Sequence, residues 1–185
     1  MSARDLSDLP WPRRTQRLLL RPPLAEDAAA VFAYRSLPET AQWLSGRPTD
    51  QAAHARVFAQ RSGGTLVVEA FGEIVGDLLL AVEDAWSQAE VEEQAARSQA
   101  MLGWVFAPKH QGKGYATEAV RELITIAFEL GVRRVYADAF ADNPASARVM
   151  TKVGMRQEAR HVKESLHRDG TWRDSVSFAL LAEEA

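Results

Sequence analysis

The chain contains no cysteine. That absence excludes disulfides, thiolate metal sites and a cysteine nucleophile, and it suits a reducing cytoplasm. Long apolar runs are missing as well. No stretch approaches the ~20 residues of a membrane-spanning helix, so no membrane partner is expected. Nor does one sign of charge dominate. Lys and Arg number 22 against 25 Asp and Glu, a net charge of −3. That balance offers no basic footprint for nucleic acid or an anionic membrane surface. His54, His161 and His167 are scattered without metal-ligand spacing, and no metal is expected. Met1 to Arg14 carries charges and prolines but no apolar centre, so a secretory signal is not expected there. The segment reads as a loose N-terminal arm, residues 1–14, with Trp11 between Pro10 and Pro12 pinning it to a surface or a partner.

What is present fits a folded globular chain. With 185 residues, 46% of them hydrophobic, the protein can bury a sizeable core, and residues 1–185 read as a single domain. Leu18-Leu19-Leu20, ended by Pro22-Pro23, marks a first strand over Arg17 to Arg21. Glu26-Asp27 open an Ala-rich helix to about Arg35. Thr40 to Leu44 is a short helix or turn, and Thr49-Asp50 cap a helix from Gln51 to Arg61. Thr65 to Ala70 and Ile74 to Val82 form a hairpin around Phe71-Gly72-Glu73. Residues 83–99 are acidic and rich in alanine and glutamine, and read as an inserted loop, partly helical. A strand over Val132 to Phe140 follows the central helix. A helix from Asn143-Pro144 to Gly154 and a hairpin of Glu158 to Leu166 with Trp172 to Leu181 complete the order.

The stretch that organises the rest runs from Leu102 to Gly131. It reads as an apolar strand (Leu102 to Ala107), a tight loop (Pro108 to Tyr115) and an amphipathic helix (Ala116 to Leu130). With the next strand this unit implies a parallel pair inside an otherwise antiparallel sheet. Gly112 and Gly114 let the backbone turn sharply and leave its N–H groups uncovered. The helix aims its unpaired N–H groups and positive dipole end at the same spot, and Lys113 adds a charge. Two readings fit: a seat for a phosphate or pyrophosphate, or a plain strand-to-helix turn. A P-loop is excluded because Tyr115 follows Gly114, and a dinucleotide fingerprint because Thr117 stands where its third glycine belongs.

Gln111, Gly114 and Ala116 fill the fixed positions of the acetyl-CoA loop of the GNAT acyltransferases, Gln/Arg-x-x-Gly-x-Gly/Ala. The run Gly112-Lys113-Gly114-Tyr115-Ala116-Thr117-Glu118-Ala119 resembles the RimJ/RimL-type branch of that family. So do Thr15-Gln16-Arg17-Leu18-Leu19-Leu20-Arg21 and Asp169-Gly170-Thr171-Trp172-Arg173-Asp174-Ser175. The resemblance implies an α/β, GNAT-like fold: a mixed, mostly antiparallel twisted sheet with one splayed parallel pair and helices on both faces. It implies acetyl-CoA as co-substrate, and transfer of acetyl to a primary amine by direct attack in a ternary complex. It suits a cytoplasmic protein and allows a homodimer. By the same resemblance, backbone N–H groups from Gly112 through Lys113, Gly114, Tyr115, Ala116 and Thr117 hold the pyrophosphate, with Gln111 at its edge. The strand edge at Trp104, Val105 and Phe106 pairs with the pantetheine arm, and an N–H of Val105 or Phe106 polarises the thioester. Asn143 contacts the arm, and Ser146 meets the sulfur end as a candidate acid. Plainer readings stand beside these: Trp104 and Phe106 as core, Asn143 as a helix cap and Ser146 as part of the first turn.

The chain also departs from the family. Acyl transfer requires a held donor, a neutral amine, an oxyanion partner and, for the departing thiolate, a proton. Met150 stands where many relatives carry a tyrosine acid. The strand before the loop has no carboxylate, which leaves Asp77, Glu69, Asp138 and His110 as substitutes for the base. These departures keep a second hypothesis open, a non-catalytic acyl-CoA sensor. The acceptor, a protein N-terminus or a small-molecule amine, also stays open. Its walls are expected from Tyr34 to Arg61 and from residues 83–99, which serve either as a lid with Trp86 as a contact or as a solvated excursion.

Overall fold

The computed structural model describes residues 5–60 and 63–185. The chain runs through β1 (Arg13–Arg14), β2 (Leu19–Arg21), α1 (Asp27–Arg35), α2 (Pro38–Ala41), α3 (Gln51–Gln60), β3 (Thr65–Ala70) and β4 (Glu73–Glu83). It continues through α4 (Glu92–Ala95), β5 (Gln99–Phe106), α5 (Tyr115–Glu129), β6 (Arg134–Phe140), α6 (Pro144–Lys152), β7 (Arg156–Leu166) and β8 (Trp172–Leu181). The strands form one eight-stranded sheet in the order β1-β2-β3-β4-β5-β6-β8-β7. Among the described residues no helix is long and apolar enough to cross a membrane.

Local chemistry explains most of the elements. Asp50 opens α3 by accepting the Ala53 N–H at 2.6 Å. The expected end of that helix at Arg61 lies outside the described residues. Phe71 and Gly72 both hold positive φ, 52° and 78°, which gives the hairpin turn whose twist suits β3 and β4. Gly131 ends α5 at φ 90°.

Two cores cover the two faces of the sheet. On one, Val120, Leu123 and Ile126 of α5 and Met150 of α6 pack on Leu66, Leu78, Leu102 and Val135. On the other, Val31 and Tyr34 of α1 and Phe58 of α3 pack on Val67 and Val105. Each of the larger buried side chains contributes roughly 1.5–3 kcal/mol. Alternation along a strand then assigns the rest. Leu102, Trp104 and Phe106 of β5, with Val135 and Ala137 of β6, face α5 and α6. Gly103 and Val105, with Tyr136, Asp138 and Phe140, face α1.

All pairings are antiparallel except β5 with β6. That parallel pair is short: Gln99, Ala100 and Met101 meet Arg134, Val135 and Tyr136, and no further register exists. Each strand is held along its whole length by its other neighbour. Residues Gln99 to Phe106 of β5 pair with β4, and Arg134 to Phe140 of β6 pair with β8. The two half-sheets twist independently, and the strands part.

Two expectations are corrected. The N-terminal segment is not loose from Asp5 onward. Leu9 is buried, the Trp11 indole donates to the Leu6 carbonyl at 2.7 Å, and β1 pairs with β2. Arg13 pairs with Glu122 and Glu129 on α5, a contact across more than 100 residues of sequence that no local pattern announces. The inserted loop is partly helical, and of its two readings, lid or solvated excursion, the structure agrees with the excursion; what is corrected is its expected place in the acceptor wall. It joins the Glu83 and Gln99 ends of β4 and β5, away from the loop that follows Phe106, and Trp86 at its tip is 90% exposed.

Candidate active site

Where β5 and β6 part, a cleft of about 590 Å³ opens through the sheet. Tyr115, Ala116, Ser146 and Val149 line it on the α5–α6 side, and Arg35, Thr40 and Trp43 on the α1–α2 side. Along its wall, β5 from Leu102 to Phe106 has a backbone edge with no strand beside it among the described residues.

The first mouth is built by the glycine loop. Pro108–His110 forms a short 3-10 turn, and the Gln111 amide nitrogen ties the loop back to the Phe106 carbonyl at 3.1 Å. Gly112 and Gly114 then adopt φ of 75° and 82°. A side chain at either would be strained there, and a Cβ on Gly114 would stand 3.3 Å from Arg17 Nη2. The backbone N–H groups from Gly112 to Thr117 find no protein acceptor among the described residues. They converge on the positive end of a 15-residue helix. The donor set and the cradle fit a pyrophosphate. Lys113 alone of the loop's expected contacts does not line the cleft. Its carbonyl accepts from Arg17 Nη1 at 2.9 Å.

Arg17 and Glu118 brace this mouth, and neither was singled out from the sequence, although both lie in the runs that carry the family resemblance. The Arg17 backbone N–H and Nε donate to the Glu118 carboxylate, each at 2.8 Å, and the guanidinium sits 4.9 Å from the Tyr115 ring centroid. Thr15 Oγ1 donates to the same carboxylate at 2.6 Å. Burial alone would raise the Glu118 pKa; the Thr15 and Arg17 donors outweigh it and hold the group below the usual range.

The throat holds the α6 residues. Asn143 Oδ1 accepts the Ser146 N–H at 3.2 Å and so caps the helix. Its side-chain nitrogen has no protein partner among the described residues and lies in the cleft lining with Ser146. Met150 is fully buried in the core and lies away from the cleft. Trp104, Val105 and Phe106 all line the cleft, and Val105 and Phe106 are also core residues, so the two readings of this stretch coexist.

The far mouth is discontinuous. Arg35 lines it and grips buried Asp77 by two bonds, Nε to Oδ1 at 3.0 Å and Nη2 to Oδ2 at 2.6 Å. The Tyr34 hydroxyl donates to Asp77 Oδ1 at 2.6 Å, and burial together with Asp77 pushes that phenol well up. Trp43 and Phe140 meet with ring centroids 6.5 Å apart. The β7–β8 turn clasps this wall from behind. Arg168 donates to the carbonyls of Ala41 and Leu44, and His167 Nε2 lies 3.0 Å from the Gln42 carbonyl oxygen. No residue of 83–99 lines the cleft, so this segment is not its lid.

The four base candidates separate. Glu69 is paired with Arg21 outside the cleft. Asp77 is spent on Arg35 and Tyr34. His110 lines the cofactor mouth, where burial first, then Lys109 and Lys113, lowers its pKa. Asp138 lines the cleft on the α1 face and meets no cation within ion-pair distance among the described residues.

A sheet parted beside a glycine loop of bare amides is the architecture of an acyl-CoA-dependent transferase. The family model described as Acetyltransferase (GNAT) domain matches residues 17–156, and the chain belongs to that family of acetyl-CoA-dependent acyltransferases. Among its relatives is the uncharacterized N-acetyltransferase YnaD of Bacillus subtilis, 32% identical over 172 residues, covering 92% of this chain and 96% of that one. A GNAT-family acetyltransferase from Bacillus anthracis superposes with a TM-score of 0.79 at 28% identity, over 92% of this chain and 98% of that one. Mycobacterium smegmatis RimJ, solved in complex with CoA-disulfide, superposes with a TM-score of 0.73 at 26% identity, over 90% and 83%. The first two of these are named as acetyltransferases.

Proposed function

We propose that this protein moves the acetyl group of acetyl-CoA to a primary amine by direct attack within a ternary complex. The observation that carries the reading is the run of unpartnered N–H groups from Gly112 to Thr117 at the entrance of a cleft that passes through the sheet. In this reading those amides and Gln111 hold the pyrophosphate. The open edge at Trp104, Val105 and Phe106 pairs with the pantetheine arm, as the strand that β5 lacks. The free amide nitrogen of Asn143 donates to the same arm while its oxygen caps α6.

Acetyl-CoA supplies the activated acyl group. The amine approaches from the α1 face, where Asp138, directly or through one water, takes the proton that the nitrogen must lose. As the carbon–nitrogen bond forms, a backbone N–H at Val105 or Phe106 donates to the carbonyl oxygen. As the carbon–sulfur bond breaks, the Ser146 hydroxyl donates a hydrogen bond to the departing thiolate, which takes its proton from water. Met150 cannot do so, being apolar and buried. A thiolate is a good leaving group, so this donation has a modest share of the rate. Peptide N-termini and small-molecule amines both satisfy this chemistry.

The test is thiol release on mixing the purified chain with acetyl-CoA and a panel of amines. Release that requires an amine, with acetylated product detected by mass, supports the reading. Binding of CoA with no release from any amine overturns it.

A further inference from the structure

The two ends of the cleft carry opposite charge. Arg148 and Lys152 of α6 line it on the cofactor side. Glu39 and Asp138 line the acceptor side, and neither meets a cation within ion-pair distance among the described residues. The cation that shares their end, Arg35, is already neutralised through two bonds to Asp77. Arg168 lies behind the wall, bound to the carbonyls of Ala41 and Leu44, and takes no part in the lining.

Two further features sit among these carboxylates. Thr40 is 5% exposed and lines the cleft, and its Oγ1 is buried with no hydrogen-bond partner among the described residues. A buried hydroxyl without a partner is rare, and it leaves this wall without a donor that would favour a carboxylate. Trp43 and Phe140 supply aromatic surface, tilted at 52° to one another. An ammonium beside such rings gains from their negative faces, and an apolar stem gains from their area.

Building on the acetyl-transfer reading, we propose that the acceptor end selects a cationic amine on an apolar or aromatic stem, an alkyl- or arylalkylamine, and rejects the same amine bearing a carboxylate beside its nitrogen. Glu39 and Asp138 attract the ammonium and repel an added carboxylate, while Arg35, already paired, has no net charge to offer it. The stem lies against Trp43 and Phe140.

Equilibrium binding to the full chain saturated with CoA tests this without turnover. The probes are phenethylamine, which carries the ring and the ammonium; phenylalanine, which adds only the carboxylate; and a short peptide with a free N-terminal phenylalanine. Phenethylamine is expected to bind at least tenfold more tightly than phenylalanine, and the peptide, whose amide replaces the carboxylate, to fall between them. Glu39→Gln is expected to narrow the gap to phenylalanine severalfold. Equal affinities, a preference for phenylalanine or the peptide, or a gap indifferent to Glu39→Gln would overturn the proposal. Thiol release is read separately. Selective binding without release leaves this assignment standing and defeats the transfer reading; release without selectivity does the reverse.

Discussion

The two ends of the cleft are built in different ways. The cofactor end comes from one contiguous run, Gln111 to Thr117, on a single strand–loop–helix unit. Its donors are backbone groups whose exposure follows from two glycines and a helix start. The acceptor end is assembled from Arg35, Glu39, Thr40 and Trp43 on one side and Asp138 and Phe140 about a hundred positions later, with the β7–β8 turn bracing it. Its polar groups are side chains, and its charge rests on which pairs are already satisfied. The loop is constrained by geometry that glycine alone tolerates. The far wall rests instead on side-chain pairs such as Arg35 with Asp77.

The largest effect that would sharpen this contrast belongs to Asp77→Ala. It strands the part-buried Arg35 guanidinium and leaves the Tyr34 hydroxyl without its acceptor, and is expected to cost about 3 kcal/mol in urea unfolding. A loss below about 1 kcal/mol would mean that the far wall does not depend on this pair. Next comes Gly114→Val. A β-branched residue at φ 82° with Arg17 beside it disrupts the cradle, and acetyl-CoA affinity measured by calorimetry is expected to fall about 100-fold, or ~2.7 kcal/mol. Unchanged affinity would break the claim that the loop holds the cofactor. Ser146→Ala is expected to lower kcat about tenfold with the KM for acetyl-CoA little changed, the pattern of a hydrogen-bond donor to a good leaving group.

The smallest effect concerns the brace on the cofactor end. The pKa of Glu118 is depressed in the folded chain, so its contribution is present above its unfolded value of ~4.3 and is lost as the pH falls through the folded value. The stability gap between the native chain and Glu118→Gln is expected to be about 1 kcal/mol at pH 7, after solvent screening. It should shrink as the pH is lowered from 6 to 3. A gap that is constant with pH would show the brace to be steric.

Much of the fold could be read from the residues because its signals are local. Leu102 to Glu129 announces itself by period and glycine, Asn143-Pro144 by capping chemistry, and Phe71-Gly72 by turn geometry. β1 escaped because a two-residue strand has no period, and its anchors, Glu122 and Glu129, are on a helix far along the chain. The glycine loop was legible for the same local reason. Asp138 could be named among four candidates, but only the parting of β5 and β6 and the pairing of Asp77 separate it from the others. Arg17 was visible as part of a run of familiar residues, yet its bond to the Lys113 carbonyl exists only once the sheet has folded. Thr40 gave no signal at all, since a threonine in a short helix reads as filler until its hydroxyl is found buried and alone.

The short register between β5 and β6 has one more consequence. A bare strand edge on the outside of a protein is a template for another chain, and exposed edges are usually blunted by charge, proline or a bulge. Here the bare edge from Leu102 to Phe106 lies indoors, walled by α6 on one side and the α2 segment on the other. That placement keeps it off the outer rim of the sheet, where a neighbouring strand would meet it. The architecture thus holds an unpaired ribbon of backbone inside the molecule and not at its margin.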